Sequence, residues 1–195
     1  MEDKKLTEKE SLELISQMIC NTRNRMEDNN GIPFLIWGYS TVVIALSVWY
    51  MVTTTHNYYW QWLWFGIPTV SYVAWFIFNT NKRKKGNPHV KTFVDRVIGH
   101  VWLVFGITGF LVSMMAIFYR IPILFIILLT MGMATAITGL IIRFKPVIIS
   151  GFLGMALSLL CFAVDGADSI LVFAVAFVLM MVIPGHILNN ASRKR

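Results

Sequence analysis

The feature that most constrains this chain is a recurrence of long stretches without a single charged side chain. From residue 32 onward, runs of about 20 residues free of Asp, Glu, Lys and Arg alternate with short polar breaks, matching the helix length that crosses a hydrocarbon layer about 30 Å thick. Six such runs are placed at residues 32–53, 59–80, 97–119, 121–142, 146–164 and 169–188. None alternates with the period of two that a membrane β-strand requires, so a β-barrel is excluded. The composition agrees: 56% of the 195 residues are hydrophobic and 14% charged, where a soluble domain carries about a quarter. The expected fold is all-α and polytopic, with six transmembrane helices arranged as three hairpins.

The first run follows a mixed-charge segment, is too long for a signal-peptide core and lacks a small-residue cleavage pattern, so it reads as a retained span. Positive charge orients the rest. Sixteen of the seventeen Lys and Arg fall in four places: the N-terminal segment, residues 82–96, the Arg143–Lys145 turn and the C-terminal tail. Arg120 alone falls on the opposite side. By the positive-inside rule both termini face the cytoplasm, which suggests a multi-pass membrane protein. The net charge of +7 therefore has a membrane origin. Lys82, Arg83, Lys84, Lys85, Arg143 and Lys145 are the expected topology and lipid-headgroup residues. The partner they imply is the bilayer, with no nucleic acid, because the charge is divided among separate membrane-flanking sites.

Residues 1–30 read as a cytoplasmic segment ahead of a six-helix domain at 31–189 and a basic tail at 190–195. Thr7 and Glu10 have capping-box spacing. Leu12, Ile15, Ile19, Thr22 and Met26 then recur at steps of three and four, placing an amphipathic helix over residues 8–27. Asp28-Asn29-Asn30-Gly31 stops it. The apolar stripe either packs on its own bundle or forms a seam for a cytoplasmic partner or a second copy. Leu12, Ile15, Ile19 and Met26 are the candidate docking residues. The segment's slightly negative charge argues against a lipid anchor.

Within the spans, Pro33 sits in a first helical turn, where its missing N–H costs nothing. Pro68 is expected to kink the second span. Trp49, Tyr50, Tyr58, Tyr59, Trp60, Trp62 and Trp64 cluster around the first external turn as an interfacial belt, with a cation or aromatic ligand site as the sharper alternative. His56 in the same turn reads as a solvated loop residue. Gly132-x-x-x-Ala136 and Thr135-x-x-x-Gly139 in the fourth span, with Gly151 and Gly154 in the fifth, predict close backbone approach without identifying the partner helix. Asp168 is placed to cap the last helix.

Chemistry is sparse. The spans hold no intramembrane Asp, Glu, Lys or Arg of the kind that proton relays and ion-coupled carriers use. Ser47, Ser71, Ser113, Thr130 and Ser158 can bond their own helix backbones. His100 and His186 both fall toward the cytoplasmic side and form the one candidate polar site. Two histidines without carboxylate or thiolate support are a weak metal signal, so no metal, cofactor or catalytic residue is assigned. Cys20 and Cys161 lie at different depths and do not pair. No phosphate loop, zinc-protease motif or nucleophile elbow appears.

Residues 31–39 (GIPFLIWGY), 140–149 (LIIRFKPVII) and 183–189 (IPGHILN) resemble stretches of a family of six-helix bacterial integral membrane proteins with no assigned activity. The resemblance extends over nearly the whole chain and implies location and fold rather than function. Two functional expectations follow. The first is a non-enzymatic docking, regulatory or sensing element of the cell envelope. The second is a small permease or exporter of an apolar or weakly polar compound, working as a dimer and requiring a cavity between helices.

Overall fold

The computed structural model describes residues 31–84 and 93–193, which form an all-α bundle. The expected amphipathic helix, with Leu12, Ile15, Ile19 and Met26, lies outside the described residues, as does Lys85. Helix α1 (Gly31–Thr55) runs unbroken for 25 residues, with Pro33 in its first turn. It stops at His56, whose φ of 50° is left-handed and whose N–H still reaches the Val52 carbonyl at 3.0 Å.

A 3₁₀ segment (Tyr58–Phe65) follows, opened by Asn57, whose side chain accepts from the Tyr59 N–H at 3.0 Å. Helix α2 (Gly66–Lys84) continues from it. The span expected at 59–80 is thus two structures. Pro68, read from sequence as a mid-helix kink, stands third in α2. Its absent N–H is one of the four that any helix start leaves without an intrahelical partner.

Helices α3 (Phe93–Phe118), α4 (Ile123–Ile142) and α5 (Lys145–Ala163) complete the middle of the chain. The last rod is composite: α6 (Asp168–Phe177), a π-helical turn (Val178–Val182) and α7 (Ile183–Arg193). The Ile183 N–H bonds the Val178 carbonyl, five residues back. Pro184 lacks the N–H that would bond Met180, and its ring crowds that carbonyl; the wider turn just before it relieves the clash. The helix then continues to Arg193, into the region read as tail.

Among the described residues, five helices are long and apolar enough to cross a membrane: α1, α3, α4, α5 and the composite rod over Asp168–Ala191. The second of the six expected spans is not among them, because α2 ends in Asn79-Thr80-Asn81-Lys82-Arg83-Lys84.

The pairing of helices differs from three consecutive hairpins. The most extensive contact joins α4 to α5, which the hairpin scheme separates. The cause is local. Arg143, at φ 54°, closes α4 in the left-handed conformation; its N–H reaches Leu140 O at 3.3 Å, and Phe144 N–H reaches Gly139 O at 3.0 Å. This Schellman arrangement reverses the chain in two residues and lays α5 antiparallel on α4. Glycine then lets the backbones touch. A Cβ on Gly139 would lie 2.6 Å from Ile148 N, and one on Gly132 would lie 2.8 Å from Met155 N. The small-residue motifs therefore have an intrachain partner.

On the other side, α1 packs against α6, the π turn and α7. Gly38 faces Met181 and Val182, and Gly31 faces the Gly185 carbonyl. Val48, Leu128, Met131, Phe173, Met180 and Met181 fill the space between these two layers and are almost fully buried. Helix α3 is peripheral, with no buried residue, and packs chiefly on α4. Its exposed Leu103, Val104, Phe110 and Leu111 form a face that suits lipid better than water.

Candidate functional site

Three turns converge at the bundle end opposite Gly31 and Arg143. They are the His56–Asn57 break after α1, the turn between α3 and α4, and the turn between α5 and α6. Between them lies a half-open cavity of about 590 Å³. Val52, Thr53 and His56 line it from the end of α1, and Gln61 and Trp64 from the 3₁₀ segment. Ile123 and Leu124 come from the first turn of α4, and Gly166, Ala167, Ser169 and Ile170 from the start of α6.

Each wall is fixed by something local. Gly166, at φ 74°, permits the turn that brings α6 back. Ser169 donates to the Gly166 carbonyl at 2.7 Å, and the Cys161 thiol lies 3.4 Å from the Ser169 carbonyl. Asp168 does not cap α6 as expected: Ala167 is the N-cap, and Asp168 stands in the first turn, where its charge complements the helix dipole. Trp64 is held edge-on to Phe173, with ring centroids 5.5 Å apart at 88°. Phe173 in turn packs on Phe177 at 4.7 Å. The core thus positions one aromatic wall of the cavity. Trp62, from the same sequence cluster, is exposed and stacks on Phe65, as a belt residue would. His56, read as a loop residue, belongs to the cavity.

The two histidines expected to share a polar site have different surroundings. His186 is bonded to Tyr39, Oη to Nε2, at 2.7 Å, and their rings meet edge to face at 5.9 Å. The bond ties α1 to α7 beside the Gly38 crossing. His100 is exposed on α3 and makes no hydrogen bond to another described residue. Among the described residues, no group of three or more His, Cys, Asp and Glu could hold a metal ion. Arg143 contributes the left-handed closure of α4, and Lys145 opens α5 with Pro146 behind it.

Mid-span hydroxyls mostly do what their sequence setting suggests. Ser47 donates to Val43 O at 2.8 Å, Ser113 to Gly109 O at 2.7 Å, Thr130 to Ile126 O at 2.8 Å and Ser158 to Met155 O at 2.6 Å. The exceptions are Ser71 and, in α4, Thr135, both buried with no partner among the described residues.

Because Tyr39 is about half exposed, its bond to His186 should contribute little. Tyr39→Phe keeps the ring contact and loses one hydrogen bond, an expected cost of at most about 1 kcal/mol. Thermal unfolding of the purified variant checks this. A much larger loss would mean that the bond organises the α1–α7 crossing.

No protein-family model matches the chain, and neither the curated proteins nor the solved structures contain a match.

Proposed function

We propose that this chain is a non-enzymatic docking, regulatory or sensing element of a bacterial inner membrane. In this reading it spans the membrane six times, with both termini and the 82–96 segment in the cytoplasm. The sixth crossing is the 3₁₀ segment plus α2, whose aromatic start and basic end suit the two interfaces. Residues 8–27 supply the docking surface through Leu12, Ile15, Ile19 and Met26, toward a cytoplasmic protein or a second copy.

One observation carries the choice: the bundle is filled across its middle. Phe173, Met180, Met181, Leu128 and Met131 are 0–2% exposed, and the cavity is confined to one end. A permease or exporter of an apolar compound, the second reading, draws on that same cavity and on the helix interruption before Pro184. It needs a continuous path, and a close-packed middle supports a rigid platform instead.

The test is a crosslinking pull-down from native membranes. Paired Ile15→Asp and Ile19→Asp substitutions place charge on the apolar stripe of the terminal helix. Partner recovery should be lost while membrane insertion stays normal. Recovery equal to that of the unaltered chain would remove the docking reading.

A further inference from the structure

We propose that the cavity at the 3₁₀ end of the bundle binds an uncharged amphipathic molecule that donates a hydrogen bond: an alcohol, a phenol or an amide. Its volume of about 590 Å³ lies within the range of small-molecule sites, roughly 300–1,000 Å³. Three features of its walls define the ligand class.

The first is charge. Among the described residues, no Asp, Glu, Lys or Arg lines the cavity. An ion moving there from water would lose hydration without meeting a counter-charge, so a neutral ligand is favoured.

The second is hydrogen-bond accounting. A hydroxyl has one proton to donate and two lone pairs. Thr53 gives its proton to the Trp49 and Tyr50 carbonyls, at 2.8 and 3.0 Å. Ser169 gives its proton to Gly166. Both hydroxyls therefore offer only lone pairs to a ligand. His56 and Gln61 make no side-chain hydrogen bond to a described residue; each brings an acceptor and at least one N–H donor, so either can serve a ligand in both roles. Thr53 and Ser169, whose protons are spent, call for a ligand that donates, and a lone pair on the same ligand group can accept from His56 or Gln61.

The third is the apolar wall. Val52 and Ile170 are buried, and Trp64 is locked by Phe173, so a preformed apolar surface faces the acceptors. A molecule with one hydroxyl or N–H and a compact apolar body satisfies both surfaces. The neighbouring exposed Tyr59, Trp60 and Trp62 are the side-chain types that gather at headgroup depth, so such a molecule can arrive from the aqueous phase or as the head of a lipid. The site stands whether or not the terminal helix docks a partner.

The test uses the full chain in phosphatidylcholine nanodiscs, with 4-butylphenol as probe and its methyl ether, 4-butylanisole, as the analogue without a donor. Butylphenol should bind saturably and the ether about tenfold more weakly, the worth of one hydrogen bond. Ala167→Phe should fill the cavity and abolish saturable binding. Gln61→Leu, at an exposed position that does not bear on folding, should weaken butylphenol binding. Monoolein added to the bilayer should displace the probe if the natural ligand is lipid-borne, and leave it bound if the ligand is soluble; both support the site. Absence of saturable butylphenol binding, equal binding of phenol and ether, or unchanged binding in both variants overturns it.

Discussion

Gly151→Val is expected to lower the unfolding temperature by about 10 °C. A Cβ at Gly151 would fall on the Ala136 backbone nitrogen and Cα, so the obstacle is main chain and cannot rotate away. The neighbouring contacts close the alternatives. Gly132 is pressed on Met155 N and the Gly151 carbonyl, and Gly139 on Ile148 N and Val147 C; a Cβ on either glycine would lie within 2.9 Å of those atoms. To admit valine, α5 must move off α4 along the seam, forfeiting the most extensive helix contact in the bundle. Overpacking costs about 1–3 kcal/mol when side chains can adjust, so about 3 kcal/mol or more fits a backbone obstacle. At roughly 2–4 °C per kcal/mol for a chain of this size, the shift is readily measured. Gly106→Val is the control, because a Cβ there meets nothing within 4 Å. Thermal unfolding of both variants in one detergent decides the matter. Equal melting would mean that α4 and α5 do not touch through glycine.

That contrast also marks how far the sequence could be read. Uncharged runs located α1, α3, α4, α5 and the composite rod to within a few residues, because hydrocarbon thickness and charge exclusion act on composition alone. The glycine and alanine spacings predicted close approach in α4 and α5. They did not identify the partner, since a helical glycine such as Gly106 faces nothing and only the two-residue reversal at Arg143 pairs the helices. Pro68 and Pro184 carry the same missing N–H into long apolar runs. One merely starts a helix, and the other follows a π turn, because the outcome depends on which carbonyls lie four residues back. The site was the least legible part. Its lining residues lie at 52–64, 123–124 and 166–170, each ordinary in its own segment. His56 and Trp64 acquire a shared role only when three distant turns meet.

Phe173→Ala should test the link between core and cavity. Phe173 is 2% exposed and sits between Phe177 and Trp64. In water-soluble cores the same truncation costs about 3–5 kcal/mol, part of it transfer from water and part the void left behind. If the bundle lies in lipid, unfolded helices there are still solvated by hydrocarbon, so the transfer part shrinks and the packing part remains. An expected loss of about 2–3 kcal/mol follows from the lost contacts and the unfilled space. The second consequence is specific to the site. Without its edge-on partner, Trp64 is no longer held upright as a wall. Its emission, obtained as the difference between chains with and without Trp64, should shift and broaden. Butylphenol affinity should fall several-fold, while its preference over butylanisole persists, because Thr53, His56, Gln61 and Ser169 are untouched. Lost stability with unchanged Trp64 emission would show that the 3₁₀ segment holds the indole on its own and that core and cavity are mechanically separate.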